Sequence, residues 1–206
     1  MSSVPRIGGI VLCGGRSTRM GRPKLALPFG AETMLERVVR IVEAAVSPVV
    51  VVAAVGQEVP ALPSAVRVVR DEYDNLGPLA GMAAGLGALR DLVDAAYITA
   101  CDTPLLRPAF VAAIIARLGD ADLAVVRDGE FLQPLAAVYR TELESKARAM
   151  IATGRLRPLD LIRESKAVEI GAEELRQIDP DLDSLRNANT PELYAAALRM
   201  AGVPSG

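Results

Sequence analysis

The chain contains no histidine and only two cysteines, Cys13 and Cys101. Without imidazole there is no Ser-His-Asp triad, no Cys-His nucleophile pair, and no zinc or iron site that depends on histidine. Two thiols make neither a disulfide framework nor a four-cysteine zinc site. The plentiful metal ligands that remain are carboxylate oxygens, which suit Mg, Mn or Ca. Tryptophan is absent and aromatic residues make up 3% of the 206 positions, so alanine, valine, leucine and isoleucine must fill the interior. There is enough apolar material for that, 51% of the chain. A chain of this length buries roughly 70% of the surface its unfolded form exposes.

Long apolar runs are missing too. Stretches such as Val49–Val55 are too short to cross a bilayer. The N-terminus has no basic region followed by an apolar one, so a soluble, cytoplasmic protein away from membranes is expected. Acids are missing from residues 1–31, which carry Arg6, Arg16, Arg19, Arg22 and Lys24; the first carboxylate is Glu32. The other 175 residues hold 18 basic and 25 acidic groups, for a net charge of −2. A cationic segment on a mildly acidic protein suits a small anionic ligand better than a nucleic acid.

Four short runs of continuous rather than alternating apolar residues predict buried parallel strands: Ile7–Leu12, Val49–Ala54, Val66–Val69 and Ala95–Ala100. Helical patterns cover about Thr33–Ala45, Pro78–Leu92 and Pro108–Leu118. Repetition of strand, helix, strand predicts an α/β sheet with right-handed crossovers. Leu123–Val126 and Ala136–Tyr139 flank the turn signal Arg127-Asp128-Gly129-Glu130, as a hairpin or a pair of sheet strands. Further on come helical patterns over Glu142–Ala152 and Pro158–Ser165, a short strand near Ala167–Ile170, and a last helix to about Ala201. Thr190-Pro191 supplies the start signal of that last helix. No repeat or linker divides the chain, so one domain over 1–206 is expected.

The segment Leu12-Cys13-Gly14-Gly15-Arg16-Ser17-Thr18-Arg19-Met20-Gly21-Arg22-Pro23-Lys24 leaves the first strand directly. Paired glycines let the backbone turn sharply and bring N–H groups close to a bound group. Four cations within nine residues complete a polyphosphate cradle. The spacing is neither a Walker A loop nor a dinucleotide fingerprint. Asp71 and Asp102 each end an apolar strand, where an open α/β sheet faces its ligand crevice. A carboxylate there beside phosphates is a natural Mg²⁺ ligand, and ordinary turn chemistry is the competing reading for both. Gly77-Pro78-Leu79-Ala80-Gly81 starts a helix and fits either helix packing or contact with a base or sugar; Gly85 fits close packing. Cys13 and Cys101 precede candidate site residues on central strands and read as small buried thiols that lie near each other.

The string Leu12-x-Gly14-Gly15-x-Ser17-x-Arg19-Met20-Gly21-x-x-Lys24 resembles the signature of the nucleotidyltransferases related to the molybdenum cofactor guanylyltransferase, MobA. Asp71 with Gly77-Pro78-Leu79-Ala80-Gly81, Cys101-Asp102-Thr103-Pro104 and Asn187-x-Asn189-Thr190-Pro191 follow in the family's order, so the likeness spans nearly the whole chain. It implies a three-layer, Rossmann-like, mostly parallel sheet flanked by helices, of the nucleotide-diphospho-sugar transferase type. It also implies a nucleotide-binding half at about 1–105 and an acceptor-binding half at about 106–206. The implied reaction is Mg²⁺-dependent transfer of GMP from GTP to a molybdopterin-type acceptor with release of pyrophosphate. In that likeness Leu12, Cys13 and Gly14 lie at the guanine or ribose, and Gly15, Arg19 and Lys24 hold the triphosphate. Asp71 touches the nucleotide, Asp102 binds the metal, Lys24, Arg19 and Asp102 carry catalysis, and Asn187 and Asn189 face the acceptor. Molybdoenzyme maturation proteins are then candidate recipients of the product. The chain departs from the family in three places. Val52–Gln57 lacks the asparagine that commonly touches the nucleotide, Gln133-Pro134 stands where relatives often show His-Pro, and Cys13 replaces an alanine. A CTP-using sister activity, transfer to another small phosphorylated acceptor, and a non-enzymatic nucleotide-binding chaperone share most of these residues.

Overall fold

The computed structural model describes residues 5–14, 23–71 and 76–204. In chain order the elements are β1 (Ile7–Leu12), β2 (Pro28–Phe29), β3 (Glu32–Thr33), α1 (Met34–Glu43), β4 (Val49–Ala53), β5 (Arg67–Arg70), α2 (Pro78–Leu89) and β6 (Ala95–Ala100). There follow α3 (Pro108–Ile115), β7 (Leu123–Asp128), β8 (Phe131–Arg140), α4 (Leu143–Ala152), α5 (Pro158–Arg163), β9 (Ala167–Gly171), α6 (Ala172–Leu175) and α7 (Pro191–Met200). Seven strands form one sheet in the order β5-β4-β1-β6-β8-β7-β9. All neighbours are parallel except where β8 runs against β6 and β7.

The sheet is the middle of three layers, as the resemblance implied. Residues of α1, α3 and α6 share one core with one sheet face; residues of α2, α4 and α5 share another with the opposite face. β1 and β6 begin and end where their apolar runs do, because every central position is buried on one face or the other. α1 starts at a capping box: the Thr33 hydroxyl accepts the Glu36 N–H and the Glu36 carboxylate accepts the Thr33 N–H. Thr190 caps α7 in the expected way, accepting the Leu193 N–H at 3.3 Å.

Two expectations need correction. The run Val66–Val69 is not a doubly covered strand: β5 occupies Arg67–Arg70, pairs only with β4, and leaves Val68 exposed. It is the sheet's edge, so its hydrophobicity never had to be two-sided. α2 and α3 stop three residues short of their apolar patterns, at Leu89 and Ile115. The residues that follow turn back on the last helical carbonyls, as the Val93 N–H does on Leu89. The β2–β3 hairpin, turned at Gly30 with φ +74°, had no run long enough to be noticed.

Gly85 resolves as a packing residue. A Cβ there would meet Ile10 Cγ2 of β1 at 2.6 Å, so its lack of a side chain lets α2 lie against the sheet. Among the described residues, no helix is long and apolar enough to cross a membrane.

Candidate functional site

The carboxyl ends of β5, β4, β1 and β6 are bound together one residue past the strands. Asp71 donates its N–H to Ala53 O at 2.9 Å, Cys13 to Val52 O at 2.8 Å, and Cys101 to Leu12 O at 2.9 Å. Ladder hydrogen bonds thus fix where the chain leaves each strand, and they align Asp71, Gly14 and Asp102 along one edge. Gly14 is exposed, and a Cβ built on it would meet nothing within 4 Å. The paired strand ends also bring Cys13 and Cys101 together. Both are buried, and a hydrogen bond to Cys101, together with burial, pushes the Cys13 thiol well up from its ordinary value. Both are small buried packing residues, as the sequence suggested.

Lys24 and Asp102, 78 residues apart in sequence, meet at this edge: Lys24 Nζ donates to Asp102 Oδ2 at 3.0 Å. Each is fixed by its own anchor. Lys24 opens a 3₁₀ turn whose next residue, Leu25, is buried in the core beneath. Asp102 is followed by Thr103, whose hydroxyl donates to Ala100 O at 2.9 Å, and by Pro104, whose carbonyl accepts Arg37 Nε at 2.7 Å. The Thr103 side chain stitches that turn, so the Asp102 carboxylate is left to face Lys24. Its side chain is 13% exposed and that of Lys24 24%, a pair shielded from water on most sides. Asp102 Oδ1 is buried and has no hydrogen-bond partner among the described residues. A bare carboxylate oxygen at the ligand-facing end of a strand is a donor that a hard divalent ion fits. No three His, Cys, Asp or Glu side chains converge among the described residues, so any such ion here would need oxygens from a ligand as well.

The remaining predicted residues divide clearly. Leu12 is buried at the end of β1, and Asp71 follows β5 with its carboxylate 3.8 Å from where a Gly81 Cβ would stand. Gly77, at φ +82°, begins α2 with no side chain to cap its N–H groups, so that helix end opens on the same edge. Asn187 and Asn189 flank Ala188, whose N–H donates to Asp102 O at 2.7 Å. That bond places the C-terminal segment directly against the Asp102 turn, with Asn187 exposed and Asn189 half-buried. Gly15 and Arg19 lie outside the described residues, as do Arg16 and Arg22.

Two supports were not foreseen. Gln57 spans the gap between β4 and β1: its Oε1 accepts the Ala54 N–H at 3.0 Å and its Nε2 donates to Cys13 O at 3.1 Å. Arg70 locks that turn by donating to Ala54 O at 3.2 Å and to Gln57 O at 2.6 Å. In a trans peptide C=O and N–H point opposite ways, so tying Cys13 O aims the Gly14 N–H away from Gln57. Gln57→Leu should raise the Kd for a polyphosphate ligand held at this turn about fivefold, the worth of roughly one hydrogen bond, with the melting temperature nearly unchanged. Titration calorimetry checks this; unaltered affinity would leave Gln57 as a turn residue only. The second support is Arg107, which meets the fully buried Asp179 at 3.3 Å and Asp183 at 3.3 Å, while its N–H donates to Ser184 Oγ at 3.1 Å. This network fastens residues 179–186, and so the segment that carries Asn187 and Asn189. The only local sign of it was two aspartates four residues apart, which many exposed turns share.

Comparison with known proteins finds relatives that extend over nearly the whole chain. A family model described as the MobA-like NTP transferase domain matches residues 9–168. The chain is 36% identical over 203 residues to a Mycobacterium ulcerans protein named probable molybdenum cofactor guanylyltransferase, with 96% of each chain covered. A protein of the same name from Mycobacterium tuberculosis is 38% identical over 189 residues, 89% of each chain. In three dimensions the chain is similar to molybdopterin-guanine dinucleotide biosynthesis protein A from Archaeoglobus fulgidus. The TM-score is 0.77 at 21% identity, over 95% of this chain and 98% of that one, a likeness of fold.

Proposed function

The chain belongs to the family of MobA-like NTP transferase domains, and from that premise we propose that it transfers GMP from GTP to a molybdopterin-type acceptor, releasing pyrophosphate. The observation that carries this reading is the Lys24–Asp102 pair at the joined ends of β1 and β6. It places a cation and a carboxylate with one unpartnered oxygen beside a glycine-bearing turn. The names borne by the mycobacterial relatives support guanine as the base and molybdopterin as the acceptor.

Chemically, nucleotidyl transfer asks little of protein acids and bases. An acceptor phosphate oxygen, already ionised, attacks the α-phosphorus; a new P–O bond forms as the bond to pyrophosphate breaks. No general base is required, which is why a chain without histidine can perform it. Positioning and charge neutralisation supply the rate. In our reading Lys24 gives up its pairing with Asp102 to stand against the phosphates. The Gly14 N–H, oriented through Gln57, meets the nucleotide, and Asp71 at the β5 end contacts it with Leu12 and Cys13. Gly15 and Arg19 extend the same cradle. Asp102 would hold Mg²⁺, which when bound offsets charge on phosphate oxygens. Asn187 and Asn189, fastened to the Asp102 turn, face the acceptor, so residues 1–105 chiefly serve the nucleotide and 106–206 the acceptor.

The test is pyrophosphate release by the purified protein with Mg²⁺ and molybdenum-loaded molybdopterin, GTP and CTP being supplied in parallel. Release with GTP and not CTP is the expected result. Release with CTP alone would move the protein to the cytidylyl activity. If neither nucleotide reacts while GTP raises the melting temperature, the acceptor is wrong or the protein is a binder.

A further inference from the structure

Among the described residues, β8 holds the one register break in the paired strands. Val125 of β7 faces Ala137, but the next residue, Val126, faces Gln133, so Pro134, Leu135 and Ala136 have no partner on β7. Proline, lacking an N–H, cannot continue a ladder there. The break falls at a telling place. β8 pairs with β6 only as far as Ile98↔Ala137, whereas β6 continues through Thr99 and Ala100 on the side of β1. Beyond Ile98 the sheet therefore parts between β6 and β8, at the end that carries Asp102. Leu132, Gln133, Pro134 and Leu135, all half-buried, form the far wall of that parting.

One side chain holds the wall. Tyr139 is fully buried, and its hydroxyl donates at 2.8 Å to the carbonyl of Pro134, the first of the three looped-out residues. Ala137, on the same face of the strand as Tyr139, is small enough to leave room for the phenol to reach back along β8. Burial raises the Tyr139 hydroxyl far above its ordinary titration range, so it remains a donor. The bond belongs to neither ladder: β7–β8 pairing resumes beyond the bulge without it, and β6–β8 pairing ends before the bulge at Ile98↔Ala137. Its effect is to fix the direction in which the bulge projects. A core that needed only bulk at this position would be served equally by phenylalanine.

We infer that Tyr139 is a positioning residue for the acceptor: by clamping the Pro134 carbonyl it sets the wall, Gln133 to Leu135, against which the acceptor of the proposed transfer lies. The inference rests on that reading of the reaction. Along the carboxyl edge the order is β4 and β1 with the nucleotide turn, then β6 with Asp102, then the parting beside β8. The nucleotide turn and the bulge thus stand on opposite sides of Asp102, as two substrates that react beside it require. A planar, partly apolar acceptor suits a wall of leucine and proline edged by one amide.

Tyr139→Phe keeps the ring and removes only the clamp. Its KM for the acceptor should rise about five- to tenfold, the cost of one positioning hydrogen bond, while KM for GTP and kcat at saturating acceptor stay at wild-type values. Leu135→Ala, on the wall itself, should raise the acceptor KM in the same way. Hydrogen exchange followed in parallel should speed up at residues 131–137 of Tyr139→Phe and not at 7–14. Unchanged acceptor KM in Tyr139→Phe, or equal changes for both substrates, would overturn the inference even if Leu135→Ala behaves as expected. If the wild-type protein releases no pyrophosphate at all, the functional reading fails on its own. The clamp is then judged by exchange alone, and unaltered exchange at 131–137 would sink it.

Discussion

Lys24→Ala should yield a folded protein whose kcat/KM for GTP is lower by about 10²- to 10³-fold, the loss expected when one preorganised charge contact is removed from a developing phosphate anion. The expectation follows from where the ammonium sits. Lys24 Nζ is 3.0 Å from Asp102 Oδ2, at the joined strand ends and largely screened from solvent. A positive charge so placed needs little reorganisation to meet a triphosphate entering over Gly14. Stability should fall by about 1–3 kcal/mol, since the nearly buried Asp102 carboxylate, one oxygen of which is already unpartnered, loses the Lys24 ammonium. Lys24→Arg keeps the charge on a broader head group and should recover only part of the loss, because the short turn at Lys24–Ala26 leaves the side chain little freedom to retreat. Steady-state kinetics on the three proteins, with melting curves to exclude unfolding, decides the matter. Near-normal turnover in Lys24→Ala would remove this residue from the reaction.

Much of the fold could be read in advance because its informative signals are local. β1 and β6 are continuous apolar runs with polar or glycine-rich boundaries, and their limits coincide with the runs. The hairpin of β7 and β8 turns at Gly129, with φ +57°, inside the turn signal. What escaped depends on partners remote in sequence. Val66–Val69 has the composition of a central strand, and only the absence of a second neighbour leaves its valine at position 68 exposed. The bulge in β8 is announced by Pro134 alone, and its extent is set by where β6 stops pairing.

The same division holds for the candidate site. Glycines after a strand and carboxylates at strand ends are legible because chemistry restricts which residues can stand there. That Lys24 would face Asp102, and that Ala188 would bind the Asp102 carbonyl, follows from topology rather than pattern. Gln57 shows the limit most clearly. In sequence it marks the lack of an expected asparagine, whereas in the fold its amide joins two strand ends through the backbone of Ala54 and Cys13. Side chains that act on backbone polar groups leave almost no sequence signature, since any loop glutamine looks the same.

Asp102→Asn tests the other half of the pair and should separate stability from activity. The change is nearly isosteric and removes one negative charge. An asparagine carbonyl can still accept from Lys24, and the turn is held by Thr103 and by the Ala188 N–H, neither of which uses the Asp102 side chain. In the folded protein Asp102 Oδ1 is buried without a hydrogen-bond partner among the described residues, a cost that a charged group bears more heavily than a neutral amide. The melting temperature should therefore equal or exceed that of the wild type. Turnover should fall by about 10³-fold, because the amide is a poor ligand for the ion that offsets phosphate charge. Raising Mg²⁺ should restore little, whereas a residue serving only as a structural partner of Lys24 would leave the Mg²⁺ dependence as it was. Lys24→Ala combined with Asp102→Asn should lose far less than the product of the single losses, since in the proposed transfer both groups serve the same phosphates. Full multiplication of the two effects would mean that they act independently. A lower melting temperature with unchanged kinetics in Asp102→Asn would instead assign the carboxylate to the turn, the reading its position in sequence also allowed.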